Sequence, residues 1–398
     1  MKKPVSLVAA LAALTVASAA SAEPMDPAIE RLVLDPACHD DGDGPLALGQ
    51  YNDSEANLAA LERGPGLRRW CAPDHAAFKK LVGQYGFALA PTAMHSARTT
   101  GFGGFHLSME MAITDIDEGK RYWKEGSQGK VDPSTNRPSR RNPSPATALT
   151  LYTAKLRKSF GFGLELTAAV GFMPETSIVS GGADTRLSLL EGFRSGLPGI
   201  LPDVAVGAGV RTITGTPQFQ LTTVGLDTQV SKPLPIADSS ILTPWVGYQY
   251  LWIFGDSGLV DLTPGTDPLG YCNYAGQNVP GNADPEKTLF DGQPVCQGGS
   301  PLDFNNNVVF NQARLERQRL LFGLNYRYEM VSIGAQFITD IVDPADAQVG
   351  DEKTTISVPV RDANGQITGY ERQKVKDDQL LEGAPRQWTL VFELGTMF

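Results

Sequence analysis

The sequence predicts an all-β chain: an antiparallel transmembrane β-barrel of about ten strands with a small helical N-terminal segment. Three observations predict it. Apolar residues recur at every second position over stretches of about ten residues, the length a tilted strand needs to cross a bilayer. Aromatic residues (Phe105, Phe162, Phe172, Trp252, Tyr326, Tyr328, Trp388, Phe398) gather at the ends of those stretches, where a membrane interface would hold them. The longest connections fall after odd-numbered strands, hence on one side of the sheet.

Ten strands are read in order: 104–116, 147–158, 162–173, 183–193, 203–214, 219–231, 240–254, 316–329, 331–340 and 387–398. In the first, Phe105, Leu107, Met109, Met111 and Ile113 share one face, and His106, Ser108, Glu110 and Ala112 the other. The third sets Phe162, Leu164, Leu166, Ala168, Val170 and Phe172 against Gly163, Glu165, Thr167, Ala169 and Gly171. Leu187-Ser-Leu-Leu-Glu191 in the fourth also suits a helical turn, so eight or twelve strands are the alternatives. The seventh lies in the uncharged run Ser239–Gly255, which Ser, Thr, Pro, Gly and Gln interrupt too often for a spanning helix. The eighth alternates Leu320, Phe322, Leu324, Tyr326 and Tyr328 with Arg319, Leu321, Gly323, Asn325 and Arg327. The last carries Trp388, Leu390, Phe392, Leu394 and Phe398 on one face.

Composition agrees. The chain has 398 residues, a formal charge of −10 and a pI near 5.0, which argues against nucleic-acid binding. Its mean hydropathy of −0.17 is low for a helical membrane protein. A strand needs only one apolar face, so 41% hydrophobic residues suffice for a barrel. Residues 1–22 read as a secretory signal peptide: Lys2 and Lys3, an apolar run shorter than a spanning helix, then Ala20-Ser21-Ala22. Residues 23–100 lack the long alternation, and 101–398 form the barrel. Its long linkers are 117–146, 255–315 and 341–386.

On these residues the chain resembles Gram-negative outer-membrane β-barrel proteins as a class. The signal peptide, the amphipathic strands and the closing strand carry the resemblance. It implies an outer-membrane location and a belt of lipid contacts. It also implies that Trp388, Phe392 and Phe398 serve as the signal read by the barrel-assembly machinery. Likeness of architecture does not transmit function.

Strand parity points further charges inward: Glu110, Lys155, Arg157, Glu165, Arg186, Arg211, Arg319, Arg327 and Glu393. A turn at Ser159-Phe160-Gly161 would set Lys155 opposite Glu165, Tyr152 opposite Ala168 and Leu156 opposite Leu164. The charges either fill a narrow lumen as ion pairs or line a conduit. A barrel near ten strands favours filling, since eight-stranded barrels are packed and open channels are wider.

In the N-terminal segment, Ser54–Leu61 and Pro73–Val82 read as short helices, with Ser54 a cap and Pro73 in a first turn. The segment is a periplasmic domain or a plug in the barrel mouth. Cys38 and Cys71 precede the first strand, which makes them periplasmic; Cys272 and Cys296 share the seventh-to-eighth linker, which makes them external. The membrane would then leave Cys38–Cys71 and Cys272–Cys296 as the disulfides, each contributing about 3–4 kcal/mol. No CxxC pattern supports a thiolate metal site.

Other candidate chemistry is sparse. His39-Asp40-Asp41-Gly42-Asp43-Gly44 is an acidic turn without the spacing of a calcium loop. His106, Ser108 and Glu110 share an inward face and are the residue types of an acyl hydrolase, yet they run in a line about 7 Å per step. Thr355–Arg361 and Gln366–Lys374 around Asp362-Ala-Asn-Gly365 read as a projecting hairpin. The expected role is a narrow channel or transport barrel. A structural or surface-binding barrel acting through external loops is the alternative, and a lipid hydrolase the third. No cofactor or metal is implied.

Overall fold

The computed structural model describes residues 23–34, 72–132, 137–138, 141–191, 201–216, 218–237, 239–262, 271–274, 294–297, 307–349, 353–364 and 367–398. Ten strands pair antiparallel with their chain neighbours: β1 (Phe105–Asp115), β2 (Ala148–Ser159), β3 (Leu164–Phe172), β4 (Val179–Leu190), β5 (Asp203–Thr214), β6 (Phe219–Ser231), β7 (Ser240–Ser257), β8 (Ala313–Tyr328), β9 (Val331–Asp340) and β10 (Trp388–Met397). β10 pairs with both β9 and β1, so the sheet closes and no barrel strand keeps a free edge.

Burial is inverted relative to a water-soluble protein. Along β1, Phe105, Leu107 and Met109 are exposed, whereas His106, Ser108 and Glu110 are buried. Phe105, Leu166, Phe322 and Phe392 keep 39%, 45%, 45% and 45% of their surface, with no protein layer over them. Exposed apolar surface on this scale is untenable in water and is what acyl chains require. Closure satisfies the backbone amides that lipid cannot.

The two barrel ends differ. Short turns (160–163, Glu329-Met330) lie at the end where β1 starts and β10 finishes, and there Phe105 and Phe398 exchange backbone hydrogen bonds of 2.8 and 3.0 Å. The linkers 116–147, 258–312 and 341–387 lie at the other end. The predicted hairpin stands in the last of these, Lys353–Arg361 pairing with Ile367–Lys376.

The β2–β3 register corrects the expected one by four residues. Leu156 faces Ala168, Tyr152 faces Phe172, and Lys155 faces Ala169 instead of Glu165. The turn is longer than expected because Phe162 (φ 61°) and Gly163 (φ 73°) leave the strand in left-handed conformations. Only glycine fits the second position, where a Cβ would stand 2.7 Å from the Ser188 carbonyl oxygen. Phe162 thus projects from the turn, fully exposed, and starts no strand. The shift is even, so every side chain keeps its face. β4 begins at Val179, earlier than expected, and Leu187–Leu190 is strand, not helix.

The N-terminal helix, α1 (His75–Leu89), runs seven residues beyond its expected end. Asp74, not Pro73, sets its start: the Asp74 carboxylate accepts from the Ala77 amide at 2.9 Å. α1 lies inside the barrel and is buried on nearly every face. Gly86 and Gly255 mark the closeness of fit. A Cβ on Gly86 would lie 2.3 Å from Ile253 Cγ2, and one on Gly255 would lie 2.4 Å from Val82 Cγ1. The described residues of this segment therefore fill the bore as a plug. Ser54–Leu61, the acidic turn His39–Gly44, Cys38 and Cys71 lie outside the described residues.

The plug enters from the long-linker end. Met25 N donates to Glu175 O (2.8 Å) in the β3–β4 connection, and Arg31 Nη2 to Gln128 Oε1 (2.8 Å) in the β1–β2 linker. Leu34 N donates to Ala72 O (2.9 Å), so these two residues sit at that same end. The chain therefore crosses the bore before β1 begins. Cys272 and Cys296 stand directly opposite each other where Tyr271–Tyr274 pairs with Pro294–Gln297.

Candidate functional site in the barrel lumen

The lumen has two zones, each matched to what fills it. A helix satisfies its own backbone, so an apolar wall suits it. Around α1 the inward residues are Leu149, Leu151, Leu221, Leu251, Ile253 and Leu315, all buried. Phe78 stacks on Phe310 (4.8 Å) and meets Phe219 edge-on (6.3 Å). The β1–β2 linker clamps the helix through α2 (Arg121–Gly126): Gln84 accepts from Trp123 Nε1 at 2.5 Å and donates to Tyr122 Oη at 2.6 Å. Lys79, fully buried, pairs with Asp377 (2.6 Å) in the last linker. Burial, and then Lys79, pull the His75 imidazole down to about 4. It stands neutral, and its Nδ1 accepts from the Asn311 amide at 3.2 Å.

Past Leu89 the chain leaves the helix and threads the rest of the bore. An extended thread cannot satisfy its own carbonyls, and a buried unpaired one costs about 1–3 kcal/mol. The wall here is polar and supplies donors. Arg319 donates to the carbonyls of Phe87 (3.2 Å) and Pro91 (2.9 Å), and Gln249 to Pro91 (3.2 Å). Gln336 donates to Thr92 (2.7 Å), Gln229 to Ala93 (2.7 Å) and Arg157 to Met94 (3.4 Å). Arg186 takes His95 (3.2 Å) and Ser96 (3.0 Å). The Arg319 guanidinium also sits 4.9 Å from the Phe87 ring, at the negative end of the α1 dipole.

The remaining inward charges pair across strands. Lys155 meets Glu110 at 2.5 Å, and both hold the Thr92 hydroxyl at 2.8 Å. Arg157 meets Glu165 (2.9 Å) and Glu393 (4.0 Å), and Arg186 meets Asp227 (3.2 Å). Arg211 grips Asp184 through two bonds of 2.7 Å, and Arg317 pairs with Asp340 at 3.0 Å. Arg327 has inward parity but lies at the exposed rim, donating to Glu329 O (3.0 Å). A void of about 10 Å³ beside Pro91, His95 and Asp227 has room for about one water.

The sequence reading named Glu110, Lys155, Arg157, Glu165 and Glu393, one partner each of Arg186–Asp227 and Arg211–Asp184, and neither of Arg317–Asp340. Asp184, Asp227, Arg317 and Asp340 share parity with inward residues two positions away, which was the available signal. Glutamines 229, 249 and 336 share the inward parity, but nothing in the strand pattern announces a thread for them to hold. His106, Ser108 and Glu110 do not form a relay: His106 Nε2 meets Ser332 Oγ (2.8 Å), while Glu110 is engaged by Lys155 and Thr92. Trp388, Phe392 and Phe398 all face outward.

No family model and no curated protein matches the chain. Among solved structures it is similar to the translocator domain of autotransporter NalP from Neisseria meningitidis (11% identity, 82% of this chain and 98% of that one, TM-score 0.30). It is also similar to the outer membrane protein OprG from Pseudomonas aeruginosa (11%, 76% and 99%, TM-score 0.26) and the outer membrane protease OmpT from Escherichia coli (9%, 76% and 99%, TM-score 0.28). Superpositions this loose carry no argument. The closed sheet and its lipid-facing belt themselves place the chain among integral outer-membrane β-barrel proteins.

Proposed function

We propose that this protein is a plugged outer-membrane barrel that acts through its long-linker face, turned to the cell exterior, and not as a standing channel. The observation that carries this reading is the run of thread carbonyls from Pro91 to Ser96, each held by a barrel side chain. Short turns at the strand-terminus end and long connections at the other support the orientation. Lipid surrounds the belt, and the assembly machinery reads the last strand through Trp388, Phe392 and Phe398. No cofactor enters the scheme.

Planar-bilayer recording tests it. The full chain should stay silent at high protein load, and a variant lacking residues 75–97 should conduct. Steady conductance of the full chain, equal to that of the deletion variant, would return the protein to the channel class. Ligand or cell binding that survives removal of residues 263–306 and 353–376 would argue against an outer-face role.

A further inference from the structure

We propose that the barrel delivers its own N-terminal segment to the cell surface, and that residues 75–100 are the tether left in the bore. The inference rests on the outer-face reading above, since it takes the long-linker end as external.

The evidence is the direction of threading. β1 starts at the strand-terminus end, where Phe105 is hydrogen-bonded to Phe398. The chain before α1 is fastened at the opposite end. Besides the Met25 and Arg31 contacts, Asp26 Oδ1 accepts from the Ser177 amide (2.6 Å) and hydroxyl (2.8 Å), and Val33 bridges to Pro73. Between Asp74 and Phe105 the chain therefore traverses the whole barrel. A sheet hydrogen-bonded all round has no lateral gap, so this segment lies along the axis with its N-terminal side outermost.

The bore suits a polypeptide. Its Arg and Gln donors address backbone carbonyls, which every residue carries, and largely ignore side-chain identity. The thread itself is slim around that track: Ala90, Pro91, Thr92 and Ala93 occupy its centre, and Ala97 donates its amide to Ser231 Oγ at 3.1 Å. The apolar upper zone then accepts α1, whose burial holds the tether once the leading segment is outside. An exported chain arrives on the periplasmic side, so the described residues before α1, fastened at the far end, must have crossed the membrane with the barrel.

Epitope insertions in the full chain, expressed in Gram-negative cells, test this. One is placed between Asn52 and Asp53, one at the hairpin tip between Ala363 and Asn364, and one in the turn between Glu329 and Met330. A second N-terminal insertion, between Gly44 and Pro45, is read the same way if the first blocks folding, and heat-modifiable migration selects folded barrels. The N-terminal and hairpin tags should bind antibody fully on intact cells, with no gain on permeabilisation. The turn tag should bind only after permeabilisation. An N-terminal tag hidden on intact cells while the hairpin tag is bound would overturn the delivery and leave the outer-face reading standing. A hidden hairpin tag with an exposed turn tag would overturn both.

Discussion

Glu110 and Lys155 show what a filled lumen demands of single residues. Each is almost wholly buried, and each is the other's ionic partner at 2.5 Å. Glu110→Ala leaves a buried ammonium with only the Thr92 hydroxyl, and such a break costs about 3–5 kcal/mol. Urea unfolding in detergent should register that loss, and Glu110→Met with Lys155→Met should restore most of it. His75 gives the pH dependence. Its folded value of about 4 lies below the ordinary 6.5, so the unfolded chain binds the proton more readily. The stability this group contributes is complete above 6.5 and is lost as pH falls toward 4. Hydrogen-exchange protection in the first turn of α1, corrected for the intrinsic pH dependence of exchange, should fall as pH drops across that window, and His75→Asn should flatten the response.

Among the elements, α1 is held by shape more than by charge. Gly86 has no room for a side chain against Ile253, whereas a Cβ on Gly83 would meet Leu315 Cδ1 at 3.3 Å, within reach of a small adjustment. Gly86→Leu should therefore lift the plug, lowering the thermal midpoint by an overpacking cost of about 1–3 kcal/mol and raising bilayer conductance. Gly83→Ala should be tolerated, with helix propensity offsetting the contact. In the β7–β8 linker, the register that sets Cys272 opposite Cys296 predicts a disulfide. Peptide mapping without reductant should recover the two as one linked pair. Recovery of both as free thiols would remove it.

At the scale of the molecule, the barrel resolves two conflicting demands by zoning its interior. Lipid requires an apolar outside, and the chain in the bore requires apolar walls around a helix but donors around an extended strand. The protein should accordingly fractionate with outer membranes and migrate faster unheated than boiled on a detergent gel. A soluble periplasmic fraction would contradict the closed barrel. The same zoning explains why the acidic chain carries so many inward arginines: they answer both carboxylates and thread carbonyls.

Much of this was legible in the residue order, because a strand's period of two is local. Phe105 to Ile113, or Leu320 to Tyr328, declare which face meets lipid without reference to any other strand. For the same reason the inward placement of Lys155 or Arg186 survived a register that the turn at Phe162 and Gly163 had displaced by an even step. What fills the lumen was not local. Gln229, Gln249 and Gln336 converge on one thread only when the sheet closes, and the path of residues 72–100 is set by contacts with linkers far along the chain. The alternation by itself pointed to a lipid-facing barrel of about ten strands, and sheet closure fixed the count. Only the tertiary structure decided that the bore is occupied and from which end, because that depends on where unsatisfied backbone carbonyls can find donors.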